Sequence, residues 1–279
     1  MKGLNQRNKN IILNIVAIVI AIIFLFPLYW MIISSLKSDS EIFMRPPTWF
    51  PHKVFFNGYI DQLTGPYSIL RSLKNSFIIS ISSMVISFCL AVPAAYGVSR
   101  FELPGKKLII LVFLVTQMLP ISVLLTPMFL TFSNLKLLNT YIAPILAIGT
   151  ITIPFTVIVL RPMFLTYPVS IEEAARIDGC NRFTAFLRVV MPVIKPGLIT
   201  VCCFGFVYGW NDLVYSLTFN SNNALFPMTT AIYNLMNQYG TRWNWIMAYG
   251  CMLVTPPVIV FILGQRYIIS GLVGGAVKE

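Results

Sequence analysis

The residues best suited to a specific task lie together in one polar stretch, PVSIEEAARIDGCNRFTAFLRVVMP, at positions 168–192. Two adjacent carboxylates, Glu172 and Glu173, stand here beside two alanines. Small side chains let a second protein approach the backbone closely, and carboxylates can pair with its basic residues. The stretch therefore favours docking of a partner. The alternative is an amphipathic helix lying on lipid head groups, and the paired acids oppose it because an anionic leaflet repels them.

Local signals predict that this stretch forms two short helices joined by a turn. Ser170 and Glu173 have the S-x-x-E spacing of a capping box at a helix start. Gly179 can adopt the left-handed conformation that ends a helix. A second helix follows and ends at Pro192, where the chain enters an apolar interval. The predicted apolar stripe of the second helix consists of Phe183, Phe186, Leu187 and Val190.

The second candidate is Asp212, the only acidic residue within an otherwise apolar interval, residues 196–219. A carboxylate near the centre of a bilayer costs about 3 kcal/mol on insertion scales, so it should face a helix bundle or water. Nearby aromatic rings can stack on pyranose rings, and an amide can bond hydroxyl groups. The alternative is a buried aspartate that only ties helices together. The possible substrate path consists of Trp210, Asn211, Asp212 and Tyr215.

Catalytic and metal chemistry lack the residues that they would need. The single histidine, His52, has no second ligand nearby, and the five cysteines contain no C-x-x-C pair. No HExxH or GxSxG motif occurs. Gly105 and Lys106 resemble the end of a P-loop, but Arg100 stands where its first glycine would be. We therefore expect no catalytic residue, no metal site and no cofactor in this chain.

The elements that position these residues must be membrane helices. Of the 279 residues 57% are hydrophobic and 10% are charged, and the mean hydropathy is +0.79. A soluble protein of this size carries about a quarter charged residues. The net charge of +11 comes from single basic residues between apolar stretches. Since they form no patch, nucleic acid is not expected as a partner.

Charge-free intervals predict six transmembrane helices, because a helix needs about 20 apolar residues to cross the hydrocarbon. The first interval contains Pro27 and Trp30 and lacks a cleavage site, so we interpret it as a retained helix and not as a signal peptide. The intervals are residues 11–36, 75–99, 108–135, 137–160, 196–219 (interrupted by Asp212) and 243–265.

The distribution of basic residues predicts that both termini are cytoplasmic. Segments on one side carry twelve lysines and arginines, and those on the other side carry six. By the positive-inside rule the richer side, which includes residues 168–192, faces the cytoplasm. Residues 37–72 then lie outside the cell membrane.

The polar stretch resembles the cytoplasmic signature of the membrane subunits of ATP-binding-cassette importers, EAA-x3-G followed nine residues later by I-x-L-P. Here it reads Glu173-Ala174-Ala175, Gly179 and Val189-Val190-Met191-Pro192, with valine for isoleucine and methionine for leucine. Further segments are similar to carbohydrate-importer permeases, in particular to the smaller, G-type subunit of maltose transporters. They are residues 34–51, 99–107, 137–146, 210–212 and 271–279. Asp212 departs from the glutamate that this family more often has after Trp-Asn.

The resemblance implies an all-α integral membrane protein with the type I importer fold. It also implies alternating access for a sugar or oligosaccharide, driven by partners. These would be a larger permease subunit, two ATPase subunits that bind ATP and Mg, and an extracytoplasmic solute-binding protein, in a prokaryotic plasma (inner) membrane. A polyol or glycerol phosphate is the alternative cargo. A secondary transporter is the alternative class, and the lack of repeats opposes it.

The resemblance assigns residues 168–192 as a coupling segment that docks on an ATPase subunit, and the C-terminal tail as a second contact. The implied docking residues are Glu172, Glu173, Ala174, Ala175, Asp178, Gly179 and Phe183. The implied tail contacts are Gly274, Gly275, Val277 and Lys278. The resulting domain division is 1–10 (cytoplasmic), 11–36 (first helix), 37–72 (extracytoplasmic loop), 73–266 (five-helix core with the coupling segment) and 267–279 (cytoplasmic tail).

Overall fold

The computed structural model describes residues 6–239 and 242–274, and within these ranges the chain forms helices and turns but no strand. One π-helical turn, Phe186–Val190, and one 3-10 turn, Asn223–Leu225, interrupt the α-helices. In chain order the α-helices are α1 (Gln6–Ser35), α2 (Asp39–Ile42), α3 (Asn57–Ile60), α4 (Ile69–Arg100), α5 (Lys106–Met118), α6 (Ile121–Asn134), α7 (Ile142–Thr166), α8 (Val169–Ile177), α9 (Arg182–Ala185), α10 (Met191–Val193), α11 (Lys195–Trp210), α12 (Val214–Phe219), α13 (Met228–Tyr239) and α14 (Trp243–Gly274).

Among the described residues, four helices are long and apolar enough to cross a membrane without a break: α1, α4, α7 and α14. Two bent pairs also have the required length and composition. One pair is α5 with α6, and the other is Arg182–Val193 with α11. If each bent pair makes one crossing, the total is six, the number that the charge-free intervals predict.

The predicted interval 108–135 is not one straight helix. Its two halves, α5 and α6, meet at an angle of 100°. Leu119 and Pro120 between them have extended backbone, with ψ of 127° and 139°. Proline cannot donate an amide hydrogen bond to the preceding turn, and it disfavours helical geometry in the residue before it. Pro120 therefore ends α5, although the sequence has no polar residue at that point.

The chain divides into two compact units, and the first contains the described residues up to Ile69 together with Ile232–Val254. In this unit, Asn244 near the start of α14 holds the segment that follows α1. Its side-chain amide donates hydrogen bonds to the carbonyls of Ser35 and Lys37, at 3.0 and 2.6 Å. Its backbone N–H donates to the Asp39 carboxylate at 2.9 Å. The predicted extracytoplasmic loop is therefore ordered by specific polar contacts.

Glu41 is a buried carboxylate within the same loop. It accepts hydrogen bonds from the backbone N–H of His52, at 2.9 Å, and from the Thr48 hydroxyl, at 3.0 Å. The His52 imidazole is exposed and lies 3.0 Å from the same carboxylate. His52 thus serves as a local partner of Glu41.

The second unit contains Leu70–Ala231 and the described residues from Thr255 onward. Helix α7 lies at its centre and packs against α5, α11 and α12. A core of buried apolar side chains joins α4, α7, the polar stretch and α11. Its members are Ala91, Val92, Ala95, Val157, Leu160, Phe164, Tyr167, Phe186, Val190, Ile194, Leu198 and Val201. The polar stretch is therefore packed onto the membrane helices on one side.

The last helix extends beyond the predicted span. Residues 267–274 of the predicted cytoplasmic tail continue α14, which ends at Gly274. The other predicted tail contacts, Gly275, Val277 and Lys278, lie outside the described residues.

Candidate functional site

The first helix of the coupling segment, α8, starts two residues earlier than the capping-box pattern indicates. Pro168 occupies the N-cap position with extended backbone, and no side chain caps the helix. Ser170 therefore lies inside the first turn. The capping-box prediction is wrong because Pro168, whose fixed φ suits a helix start, sets the boundary first.

The end of α8 agrees with the prediction. Gly179 has a φ of 93°, in the left-handed region that favours glycine. The N–H of Cys180 donates to the Ala175 carbonyl at 3.0 Å, and that of Gly179 donates to the Arg176 carbonyl at 3.2 Å. These two bonds form a Schellman motif, which satisfies the last carbonyls of the helix. The turn reverses the chain at a fixed position.

The second predicted helix is α9, followed by a π-helical turn. Asn181 caps α9 by accepting a hydrogen bond from the Thr184 N–H at 2.8 Å. In the π turn, Met191 N–H bonds to the carbonyl of Phe186, five residues back. The wider turn changes which side chains share a face. The predicted apolar stripe therefore separates: Phe186 and Val190 are buried, whereas Phe183 and Leu187 are exposed.

The predicted docking residues lie on two different sides of the segment. Glu172 and Ala175 are buried against the rest of the unit. The exposed ones are Glu173, Ala174, Asp178, Gly179 and Phe183. Two apolar side chains share the exposed side, namely Ile177, which is 87% exposed, and Phe183, which is 68% exposed. The exposed residues of the segment are therefore acidic, small and apolar.

Glu172 faces inward and is paired with residues of α4. Its Oε1 lies 2.7 Å from Nε of Arg100, and its Oε2 accepts a hydrogen bond from the Tyr96 hydroxyl at 2.7 Å. Both side chains of the ion pair are about nine-tenths buried, with 8% of Arg100 and 11% of Glu172 exposed. A buried carboxylate requires such partners, because removing its charge from water is costly.

Arg100 also reaches the junction between α7 and α8. Its Nη2 donates to the backbone carbonyl of Tyr167 at 2.8 Å, and its guanidinium lies 5.7 Å from the centre of the Tyr167 ring. Burial raises the pKa of the Tyr167 phenol, and the negative charge of Glu172 raises it further, whereas Arg100 opposes both. One arginine thus contacts both the end of α7 and the first turn of α8.

A groove of about 170 Å³ lies beside this ion pair. Arg176 and Arg182 line it together with Glu172 and Glu173, so both signs of charge meet there. The guanidinium of Arg182 covers the ring of Phe101 at 5.6 Å. The arrangement suits binding of a polar protein surface, and it contains no nucleophile paired with a base.

The predicted substrate path is built around the break between α11 and α12. Asp212 is buried, and its carboxylate accepts hydrogen bonds from the N–H groups of Tyr215 and Ser216, at 3.1 and 2.9 Å, and from the Ser216 hydroxyl at 2.7 Å. Thr229 donates to the Asp212 backbone carbonyl. The Asp212 carboxylate therefore caps the start of α12, whereas the alternative considered from the sequence was an aspartate that ties separate helices together.

The other three residues of the predicted path differ in exposure. Trp210 is fully buried, with its ring centre 4.9 Å from that of Phe77 and 5.4 Å from that of Phe206. Tyr215 is also buried, whereas Asn211 is exposed at the end of α11. Asn211, Asp212 and Tyr215 line a mostly apolar cavity of about 190 Å³. The role of these residues toward a substrate stays a prediction.

Comparison with protein families decides what this architecture is. Residues 87–273 match the model of the binding-protein-dependent transport system inner membrane component, and the matched range includes α7, the coupling segment and α11. The chain belongs to this family. Such permeases are subunits of transport systems, and the all-helical membrane fold of the chain is theirs.

Two bacterial permeases align with almost the whole chain. The diacetylchitobiose uptake system permease DasC of Streptomyces coelicolor is 30% identical over 95% of this chain and 96% of its own length. The sulfoquinovosyl glycerol transport permease SmoH of Agrobacterium fabrum is 32% identical over 91% of this chain and 89% of its own. A solved bacterial alginate importer has the same fold, with a TM-score of 0.80 at 20% identity over 96% of this chain and 99% of that one.

Sequence reasoning about this permease missed the residues that hold the coupling segment in place. Arg100 entered as one of the basic residues on the cytoplasmic side and as a residue that breaks a P-loop pattern, and Tyr96 and Tyr167 were not considered. The available signal was a charged residue at the end of a long apolar interval, since Arg100 is the last residue of α4. A cation at a helix C-terminus is favourable by itself, and that explanation conceals its tertiary role.

Proposed function

We propose that this chain is the smaller permease subunit of a carbohydrate importer and that separate ATPase subunits drive it through residues 168–192. The main support is the coupling segment, which is anchored on one side and exposes Glu173, Asp178, Ile177 and Phe183 on the other. Exposed apolar side chains next to acids indicate a protein surface as the partner. The family and the saccharide cargoes in the names of two relatives support the importer.

The docking role belongs to the exposed residues of the segment. Glu173 would pair with a basic residue of the ATPase, and Ala174 would let the two backbones approach. Gly179 fixes the turn, and Phe183 supplies apolar contact. Glu172 and Ala175 face away from this surface, so their contribution to docking would be indirect.

The remaining components follow from the same proposal. A larger permease subunit would complete the translocation path, and a solute-binding protein would deliver the cargo to the side that carries residues 37–72. ATP and Mg would be bound by the two ATPase subunits. Both termini would be cytoplasmic, in the prokaryotic plasma (inner) membrane, and the residues after α14 would add a second ATPase contact. Asn211 and Asp212 stay candidates for contact with the sugar.

The cargo is proposed to be a sugar or oligosaccharide. Diacetylchitobiose and sulfoquinovosyl glycerol, which the names of the two relatives give, are both glycosides. A polyol is less favoured on this ground, whereas glycerol phosphate stays the alternative cargo, since it is named for a further relative. A secondary transporter is excluded as a class by membership of a binding-protein-dependent family.

The test is a Glu173→Ala variant of the complete transporter. We expect it to insert in the membrane with its partner permease but to bind the ATPase subunits roughly tenfold more weakly, which corresponds to about 1.4 kcal/mol. The measurement is the amount of ATPase subunit retained on the tagged permease as its concentration is varied. Glu102→Ala is the matched control, since Glu102 is an exposed acid on the same predicted side but outside the segment. Equal retention by wild type and Glu173→Ala would refute the docking surface.

A further inference from the structure

The two adjacent acids of the coupling segment have opposite environments. Glu173 is exposed, whereas Glu172 is 8% exposed and contacts Arg100 and Tyr96 of α4. Proposed docking explains why an acid would be useful at position 173. It gives no reason for a buried carboxylate at position 172, which needs two partners from a helix that precedes it by more than 70 residues.

The contacts of Arg100 show what the buried pair connects. The arginine ends α4, and it contacts the α8 carboxylate through Nε and the Tyr167 carbonyl at the end of α7 through Nη2. Three elements, α4, α7 and α8, therefore meet at one guanidinium. Aromatic contacts of Tyr96 strengthen the same junction. The centre of the Tyr96 ring lies 4.7 Å from that of the Phe186 ring in the π turn and 5.5 Å from that of the Phe164 ring in α7.

A change in the position of α8 relative to α4 would break these contacts. It would leave a carboxylate and a guanidinium buried without a partner, which is strongly unfavourable because neither charge would regain its hydration. The shared apolar core resists the same displacement, since Phe186 and Val190 pack with Ala91, Val92 and Ala95. Movement of α8 together with α4 avoids both costs.

We propose that Tyr96, Arg100 and Glu172 form a latch that makes α8 and the cytoplasmic end of α4 move as one rigid body. The inference rests on the proposed function, because it concerns force that an ATPase applies to the coupling segment. The exposed side of α8 receives the force and the latch transmits it to α4. The three latch residues are positioning residues and do not contact the cargo.

The experiment measures the distance between α8 and α4 in two states of the assembled transporter. Spin labels are attached at Ile171→Cys on α8 and Leu90→Cys on α4, both exposed, in a background whose native cysteines are replaced by serine. Distances are measured by double electron–electron resonance in lipid nanodiscs, without nucleotide and after trapping with ATP and vanadate. No transported solute is needed.

With an intact latch, the distance distribution should keep its centre and width between the two states. In Glu172→Gln, which retains the size of the side chain but removes its charge, the centre should shift by more than about 2 Å or the distribution should broaden between states. Tyr96→Phe should give the same change at smaller amplitude. The matched control is Glu102→Gln, which alters an exposed acid outside the coupling segment and should leave the distance distribution as it is in the wild type in both states.

Two outcomes would overturn the latch: a shift of more than about 2 Å between states in the wild type, or a Glu172→Gln variant that behaves as the wild type does. Failure of the proposed function would look different. In that case the wild type would form no vanadate-trapped complex with ATPase subunits at all.

Discussion

Glu172 and Asp212 are two buried carboxylates in the same unit. Removing a carboxylate from water is costly, and the two residues offset that cost with partners of different origin. The partners of Asp212 are the backbone and side-chain groups of residues three and four positions later. Tyr96, which bonds Glu172, is 76 residues away in the chain, and Arg100 is on the same distant helix. Asp212 thus completes the start of one helix, whereas Glu172 joins two helices.

This difference indicates what each acid can do when neighbouring elements move. The cap at Asp212 travels with α12 because all hydrogen bonds that its carboxylate accepts come from the first turn of that helix. The pair at Glu172 has one member on each of two elements, so it responds to their relative position. The two residues are buried to a similar degree, so burial does not distinguish their roles. The positions of their hydrogen-bond and ion-pair partners in the chain do.

The largest effect is expected from breaking the pair at one end. Arg100→Met or Glu172→Met alone leaves a buried charge unpaired and should destabilise the attachment of the coupling segment by about 3 kcal/mol. The measurement is the rate of trypsin cleavage at the exposed Arg176 and Arg182 in detergent-solubilised protein.

The double variant Arg100→Met/Glu172→Met is the control for this prediction, because replacing both charges by apolar groups is often nearly neutral. It should be cleaved more slowly than either single variant. If the double variant is cleaved as fast as the worse of the two single ones, the ion pair is not what secures the segment.

A smaller effect is expected at Asp212. Asp212→Ala removes the cap of α12 and should cost about 1 to 2 kcal/mol, and Asp212→Asn should cost less because one amide oxygen still accepts a hydrogen bond. Thermal unfolding of the purified subunit measures both. If Asp212→Ala lowers the thermal stability more than Glu172→Met does, an acid with partners in its own helix would matter more than one that joins two helices, and the expected ranking would be wrong.

The smallest effect is expected at Glu41, a third carboxylate with local partners. Burial raises the pKa of Glu41, but the His52 N–H, the Thr48 hydroxyl and the nearby cations outweigh it, so the pKa lies below the ordinary value of 4.5. A lowered pKa in the folded state stabilises the fold above that ordinary value, and the stabilisation disappears as the pH falls through the lowered pKa.

Glu41→Gln should therefore lower the unfolding temperature slightly at about pH 7 and should make no difference at a pH well below 4.5. The measurement compares wild type and variant at both pH values. A difference that persists in acid would mean that the charge of Glu41 is not the source of the stabilisation.

Features of the fold that depend on neighbouring residues in the chain could be predicted from the sequence. Gly179 ends α8 because its left-handed φ is a local requirement, and the charge-free intervals located the long helices within a few residues. Two local predictions were incomplete. Pro168 displaced the start of α8, and Pro120 divided an interval that contains no charged residue.

The contacts between distant segments could not be predicted from one sequence. Nothing in the spacing of Arg100 and Glu172 indicates that they meet, because their proximity depends on how α4 and α7 pack. For the same reason the sequence placed Glu172 on the docking surface with Glu173. Adjacent residues on a helix differ by about 100° in direction, so Glu172 can face inward while Glu173 faces outward.

The π turn at Phe186–Val190 also restricts which changes in chain length the permease can tolerate. It contains one residue more than an ordinary helical turn needs, and the wider turn accommodates that residue. Deleting one position there would let the turn relax to α geometry with little rotation of the flanking residues, because the four residues that remain complete about one α turn. A single-residue deletion at an exposed position of this turn should therefore be better tolerated than one in the regular helices α8 or α11, where a deletion rotates the following residues by about 100°.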